Sequence, residues 1–493
     1  MTYYPYVPIH DLILKNCVEK PNNIAMVYED VDVTYSQFSE ACHSFASKLS
    51  EKNLEPGSII LLILPNGPMF PVCFVAASVL KVVCSPISPD STKEEISSFM
   101  KECEPKLIIT NHCVTSLPET DVDVLRVPDF FDLSVDRSSE LNLPSEYCID
   151  DVVLNPFSSG TTGTPKCCEL THRNFLAATY SLKEAVFDKL LLTTDGRTLA
   201  FLPFYHASGF WALLFCLMNG CTTYIMDSFH PVKLLDMVDK FDIEIINIIP
   251  PVAKVLSSFS DLSRFSSLRT VLCGAGALSK EDCEHFLSRF PHVENFLQGY
   301  GMTELVVLSH ISPIPNEALG SCGKLIPHYE AKIVLEEGKE SKTGELWLKS
   351  DAIMKQYKNG DQLCDENGFL HTGDLATKDE NDYFYIVGRV KNLIKVSGFQ
   401  VSPEEIEQNI LKNSDVVECV VVGIVNEVYG EVPKAFLVLR DGVNVADVTD
   451  SVIKSVRESF RVEKHLRGGV KVMKELPKTV SGKIKRSALA SLI

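Results

Sequence analysis

Short runs of Ile, Leu and Val recur through the first part of the chain, bounded by glycine, proline or charge: "SIILLILP", "VVCSPISP", "KLIIT", "EIINIIP" and "LRTVLCG". Runs of this kind belong to strands buried on both faces. Their alternation with helical patterns predicts parallel α/β layers. Between two of them, "STKEEISSFMKECE" opens with Ser91 and Thr92, follows with acidic residues, and sets Ile96, Phe99, Met100 and Cys103 on one face. That spacing predicts an amphipathic helix. From about residue 330 the texture turns to shorter strands and turn clusters, "GELWLKS", "DENGFLHTGD" and "DENDYFYIVG", which predict a β-rich subdomain over 330–390. A helix at "SPEEIEQNILK", strands at "VVECVVVGI" and "KAFLVLR", and a helix from Asp447 to Phe460 then make a small α+β domain of 391–493. The expected architecture is a large N-terminal α/β domain, 1–390, with a terminal β-rich subdomain, followed by this module. Without a long Pro/Ser-rich linker, the boundary near Gly388 to Asn392 is expected to be a tight hinge.

A length of 493 residues with 45% hydrophobic residues supports more than one core. The balance of 47 basic against 65 acidic residues, a net charge of −18, argues against nucleic acid or an anionic membrane as the general partner. Sixteen cysteines occur singly or as the pair Cys167-Cys168, without a CxxC framework or metal-ligand spacing, which fits a reduced intracellular compartment. The start "MTYYPYVPIHDLILKN" has no basic region followed by a long apolar run, and no uninterrupted apolar stretch reaches about 18 residues. Neither a signal peptide nor an integral membrane segment is expected. A cytoplasmic location follows, with a peroxisomal one as the alternative, because Ser491-Leu492-Ile493 resembles a Ser-Lys-Leu address lacking its basic middle residue. Oligomeric state is not legible.

Candidate chemistry begins at "SSGTTGTPK", Ser158 to Lys166, directly after the apolar run "DVVLNPF". Successive backbone N–H groups in a glycine and threonine loop form an anion nest, hydroxyls add donors, and a lysine adds positive charge. The loop is not a Walker A sequence: starting from Gly160, Pro165 stands at the second glycine and Cys167 at the hydroxyl that would ligate magnesium. On these residues alone, a polar turn after a strand is equally consistent.

Four further segments follow in order: "GYGMTE" (Gly299 to Glu304), "HTGDL" (His371 to Leu375), "IVGRVKNLIKVSGFQVSPEEIE" and "PKTVSGKIKR" (Pro477 to Arg486). With these five motifs the chain resembles, over almost its whole length, the adenylate-forming superfamily of acyl-CoA synthetases, 4-coumarate:CoA ligases and beetle luciferases. The resemblance implies ATP, Mg2+ and coenzyme A as cofactors. It implies attack of a carboxylate on the α-phosphate of ATP, then displacement of AMP by a thiol. It also implies a C-terminal domain that moves between the two steps.

The same resemblance assigns residues. Ser158, Ser159, Gly160, Thr161, Thr162, Gly163, Thr164 and Lys166 would cradle the β- and γ-phosphates. Tyr300, after Gly299 and before Gly301, would stack on adenine, Thr303 would bond the α-phosphate, and Glu304 would help hold Mg2+. "LCGAGALS" would lay the backbone of Gly274, Ala275 and Gly276 along the adenine, although Ala277 stands where a proline is common. Asp374 would accept the ribose hydroxyls and Arg389 would reach the same sugar. Lys483 would bridge the carboxylate and α-phosphate, Lys391 would be the pivot, Lys395 and Gln400 would lie near the adenylate, and Gly398 would approach pantetheine. Ser397 replaces a lysine common in the ligases. Cys167, Lys81 and Asp382 each stand where a glycine is common, and Cys167 is expected to make the loop sensitive to oxidation.

"LPFYHASGFW" lacks the aspartate that amino-acid-activating relatives use for the ammonium group. Tyr205 and the gate residue His206, with Ile246, Asn247, Ile249, Pro250, Val252, Val306, Val307 and Leu308, are expected to wall an acid pocket suited to a fatty or aryl acid. The leading expectation is an AMP-forming acid:CoA ligase. A luciferase-like oxygenase, a ligase loading a carrier protein, and an inactive adenylate- or acyl-binding protein remain as alternatives. Only ten residues follow Lys483, so a fused carrier domain is not expected.

Overall fold

The continuous apolar runs become the inner strands of two large sheets. In a nine-stranded sheet the central strands Asn295–Tyr300, Thr270–Cys273, Ile245–Ile248, Thr198–Ala200, Thr223–Ile225 and Ile24–Tyr28 are parallel neighbours in that order. A second sheet has the order Gln356–Tyr357, Lys166–Thr171, Val152–Leu154, Val83–Pro86, Ile59–Ile63, Leu107–Thr110, Asp123–Arg126. Its last five are parallel, and the first two are antiparallel to their neighbours. The computed structural model describes residues 2–115, 117–133, 143–144, 146–158, 165–193, 196–335, 339–478 and 484–490. Ser159 to Thr164, Lys483 and the C-terminal Ser491-Leu492-Ile493 therefore lie outside the described residues.

Packing divides the chain into two compact units. One comprises Met1–Ala331, Leu348–Leu370 and Glu380–Phe384, the other Lys332–Trp347, His371–Asp379 and Tyr385–Ile493. Both large sheets belong to the first unit. The helix expected between Ser91 and Cys103 is Lys93–Cys103, opened by a reciprocal cap in which Thr92 and Glu95 each bond the other's backbone N–H. Its Ile96 and Cys103 are buried, and Phe99 and Met100 pack beside them against Ile59, Leu61 and Ile108.

In the second unit, Phe399–Val401, Ile394–Val396, Gly430–Leu439 and Val416–Asn426 pair in that order, with Val470–Val472 beside Gly430–Leu439. Helices Pro403–Ile410 and Val445–Ser459 contribute Ile406, Ile410, Val448, Val452 and Val456 to the core beneath them. The strands Glu330–Val334, Thr343–Lys349, Leu370–Lys378 and Phe384–Arg389 form a separate four-stranded sheet.

Two departures from glycine have a backbone consequence. Lys81 at φ 58° and Asp382 at φ 63° both adopt the left-handed conformation that glycine takes most easily. Among the described residues, no helix is long and apolar enough to cross a membrane.

Candidate active site

The parallel strands Ile245–Ile248, Thr270–Cys273 and Asn295–Tyr300 each lead at their carboxyl end into a segment singled out above, which is where open α/β sheets bind ligands. The Gly274 N–H donates to the Ile248 carbonyl at 3.2 Å, and a Cβ built on Gly274 would lie 3.6 Å from the Gly299 carbonyl oxygen. The Gly274–Gly276 segment and the Gly-Tyr-Gly turn are thus neighbours. Ala275, at φ 63°, carries the left-handed bend between Gly274 and Gly276.

Beyond Tyr300 the chain doubles back on itself. A Cβ on Gly301 would sit 1.7 Å from the Val307 carbonyl oxygen, so only glycine fits there. Val306 is held at φ 68°, ψ −55°, and the Val307 N–H donates to the Leu305 carbonyl at 2.8 Å. A β-branched residue in such a three-residue turn is strained, and strain of this kind gathers at ligand sites.

The short turn Thr303–Leu305 packs against both Phe157–Ser158 and Lys166–Thr171, the two strands on either side of the glycine- and threonine-rich motif. This brings Glu304 beside the described strands Phe157–Ser158 and Lys166–Thr171. Glu304 is only 6% exposed, and its Oε1 accepts a hydrogen bond from the Tyr357 hydroxyl at 2.9 Å. Burial, and then the Glu304 charge, push the Tyr357 phenol far above its usual range, so it stays a donor. Lys166 Nζ lies 2.9 Å from Asp361 Oδ2 and 4.8 Å from the centre of the Tyr357 ring. Tyr357 and Asp361 belong to no motif in the sequence. The available signal was the strand-like "KQY" before a polar turn, and its partner strand could not be read locally. Cys167 is fully buried, and burial drives its thiol far up, which corrects the expectation of an oxidation-sensitive loop.

His206 is exposed at the amino end of the helix Ala207–Asn219, with its ring 4.7 Å from that of Tyr205. Asn66 fixes the preceding turn: its amide donates to Leu202 and Met226 carbonyls at 3.1 and 3.3 Å and its oxygen accepts from Phe204 N–H at 2.8 Å. Of the expected acid-pocket wall, Ile246 instead packs fully buried in the sheet core with Leu199 and Val271 and presents no surface. A buried strand run looks the same in sequence whether it meets core or ligand. Asn247, Ile249 and Pro250 keep partial exposure, whereas Val306 and Val307 are buried.

In the second unit, Asp374 and Arg389 meet as an ion pair, Nε to Oδ1 at 2.9 Å, with Asp374 buried and Arg389 half exposed. Glu345 fixes the turn ahead of Asp374. Its Oε1 accepts from Gly373 N–H at 3.0 Å and its Oε2 from Trp347 Nε1 at 2.9 Å, while the Trp347 ring stacks on His371 at 3.8 Å. Lys391 lies in the short helical turn Val390–Asn392. Lys395 and Gln400 are cross-strand partners in a hairpin whose two-residue turn, Ser397 at φ 50° and Gly398 at φ 84°, has the left-handed backbone that tight hairpins need.

The described residues on either side of 479–483 pair with each other. Lys478 bridges Ile484, and the Lys485 N–H donates to the Pro477 carbonyl at 2.8 Å. Arg486 anchors this pairing through a forked pair to Glu407 at 2.6 and 2.8 Å.

The chain belongs to the family of AMP-binding enzymes: the AMP-binding enzyme model matches residues 13–358 and the model of the AMP-binding enzyme C-terminal domain matches 405–483. Among its relatives is 4-coumarate–CoA ligase 1 of Petroselinum crispum, 31% identical over 529 residues, covering 100% of this chain and 95% of that protein. Among solved structures, o-succinylbenzoate CoA synthetase from Bacillus subtilis with its acyl-adenylate intermediate superimposes with a TM-score of 0.86 at 24% identity, covering 98% of both chains. The same enzyme with ATP and magnesium ion gives 0.85 at 23% identity, covering 98% of this chain and 100% of that one. These likenesses establish the two-part fold expected from the sequence.

Proposed function

We propose that the chain is an ATP-dependent carboxylic acid:coenzyme A ligase, forming an acyl-adenylate and then an acyl-CoA thioester from a fatty or aryl acid. The observation that carries the reading is the packing of the Thr303–Leu305 turn against both strands flanking the phosphate loop, beside the carboxyl ends of the parallel strands. The family membership and the full-length relationship to a 4-coumarate–CoA ligase support it.

In the first half-reaction an acid oxygen bonds the α-phosphorus while the bond to the pyrophosphate oxygen breaks. Two anions must meet, so neutralisation and alignment matter more than a base. The loop from Ser158 to Thr164 and Lys166 hold the departing pyrophosphate. Tyr300 and the backbone of Gly274, Ala275 and Gly276 hold adenine, Asp374 and Arg389 the ribose, Thr303 the α-phosphate, and Lys483 bridges acid and phosphate.

A buried carboxylate with one oxygen already hydrogen-bonded suits a magnesium ion that brings its other ligands from nucleotide and water, and among the described residues no cluster of three acidic, His or Cys side chains could cage a metal alone. Bound there, the ion would neutralise phosphate charge. In the second half-reaction the thiol sulfur bonds the acyl carbon and AMP departs. Gly398 approaches the pantetheine, Lys395 and Gln400 lie near the adenylate, Lys391 is the pivot, and His206 gates the acid.

The test is ATP-dependent pyrophosphate release across aryl and short- to long-chain fatty acids, each with and without coenzyme A. Release with one acid class, accompanied by AMP and thioester when coenzyme A is present, is the expected outcome. ATP binding with no pyrophosphate from any acid would overturn the reading in favour of a binding protein, and light emission with a luciferin would favour an oxygenase.

A further inference from the structure

The segment from Met354 to Asp361 touches the site at several points. Met354 N–H donates to the Glu304 carbonyl at 2.8 Å, and the Tyr357 hydroxyl donates to the Glu304 carboxylate at 2.9 Å. Tyr357 is 5% exposed and sits opposite Cys168 in the antiparallel pairing with Lys166–Thr171, the strand that leaves the phosphate loop. Its ring lies under the Lys166 ammonium at 4.8 Å. The turn after it closes with the Tyr357 N–H on the Asp361 carbonyl at 3.0 Å and the Gly360 N–H on the Tyr357 carbonyl at 2.8 Å, which places the Asp361 carboxylate on Lys166. One tyrosine therefore reaches the acidic residue of the Thr-Glu motif with its hydroxyl and the lysine of the phosphate loop with its ring.

We propose that Tyr357 is a positioning residue for metal-nucleotide binding: its hydroxyl fixes the rotation of the Glu304 carboxylate and so the direction of the oxygen left for the cation. The inference rests on the reading of Glu304 as the metal carboxylate. A buried carboxylate turns freely only at the cost of its hydrogen bond, and a partner of this kind changes metal affinity about 10- to 100-fold when removed. The ring contributes separately, as a face for the Lys166 ammonium.

The two contributions separate by substitution. Tyr357→Phe removes the hydroxyl and keeps the ring, whereas Tyr357→Leu removes both. The measurement is binding of Mn2+ to the full chain with a non-hydrolysable ATP analogue, followed by electron paramagnetic resonance, beside binding of the same analogue in chelator. For Tyr357→Phe the dissociation constant for Mn2+ is expected to rise about tenfold while analogue binding in chelator stays unchanged. Tyr357→Leu is expected to weaken binding in chelator as well. Equal weakening of both by Tyr357→Phe, or weakening of neither, would overturn the proposal.

Glu304→Gln supplies the separate check on the underlying reading. If it leaves Mn2+ binding intact, the metal assignment of Glu304 fails irrespective of Tyr357. If it weakens Mn2+ binding, adding Tyr357→Phe to it should produce no further loss, and an additive loss would show that the hydroxyl does not act through Glu304.

Discussion

Arg389 lies with its Nε 2.9 Å from Oδ1 of Asp374, and the aspartate is buried while the arginine is half exposed. The pair is therefore fixed at its acidic end and adjustable at its basic end. In the proposed function the sugar hydroxyls of ATP bond to the fixed member. Hydrogen bonds to a charged group contribute about 1.5–3 kcal/mol, so Asp374→Asn is expected to raise KM for ATP about tenfold to a hundredfold. It should also erase discrimination between ATP and 2′- or 3′-deoxy-ATP. Steady-state kinetics with the three nucleotides checks this, and retained discrimination would remove Asp374 from the ribose.

Gly301→Ala tests the doubled-back turn. The new Cβ would lie 1.7 Å from the Val307 carbonyl oxygen and 2.6 Å from the Leu308 Cα, both backbone atoms that cannot step aside cheaply. Thr303 and Glu304 must then move together. Displacement of aligned groups by about 1 Å costs about a hundredfold in rate, so pyrophosphate formation should fall by that order in a chain that remains folded by circular dichroism.

Asp361→Asn addresses Lys166, proposed above to hold the departing pyrophosphate. Lys166 is bound to the Asp361 carboxylate at 2.9 Å, and the aspartate is more than half exposed. Solvent screens an exposed pair of this kind, so removing the competing carboxylate should tighten ATP binding by no more than about fivefold. Calorimetric titration with ATP distinguishes this from a positioning role for Asp361, which would weaken binding instead.

Acid sensitivity is expected from two buried histidines. His10 bonds Ser78 at 2.8 Å, and His172 Nδ1 accepts from the Ile9 N–H at 3.2 Å. Asp11, Asp151, Lys81 and Tyr147 stand around them. Burial first, and then His172, lower His10 to about 3; burial lowers His172 to about 4, with Lys81 adding to that and Asp151 opposing it. Both groups are depressed below the ordinary 6.5, so the stability they contribute is complete above pH 6.5 and is lost as pH falls toward those values. At pH 5 the linked loss is about 2 kcal/mol per histidine. Melting temperature should fall between pH 7 and pH 5, and His172→Gln, which keeps an acceptor for Ile9, should flatten that dependence.

Arg486→Ala tests the anchoring of the chain that follows Lys483. Removing the guanidinium leaves Glu407, 9% exposed, without its forked partner. Breaking a buried pair costs about 3–5 kcal/mol, and the partly exposed arginine places this one nearer 2–3. Denaturant unfolding of the second unit's probes should show that loss. Adenylate formation, the step proposed for Lys483, should slow more than thioester formation from a preformed adenylate.

Much of the architecture is legible locally. The apolar runs became the inner parallel strands, and Thr92 with Glu95 capped the helix that their spacing predicts. Lys81 and Asp382, standing where glycine is common, took left-handed backbone in the turns they occupy. These features depend on neighbours a few residues away, so periodicity and turn chemistry report them directly.

What joins distant segments was not legible. Tyr357 reaches Glu304 across 53 positions, Asp361 reaches Lys166 across 195, and Glu345 reaches Gly373 across 28. Ile246, in a run that fits pocket wall and core equally, went to the core. The sequence by itself determined the elements, the order of the motifs and the family. Only the tertiary structure decided which strand lies beside which and in what register, because a register is chosen by the burial of whole faces and no short window contains both partners.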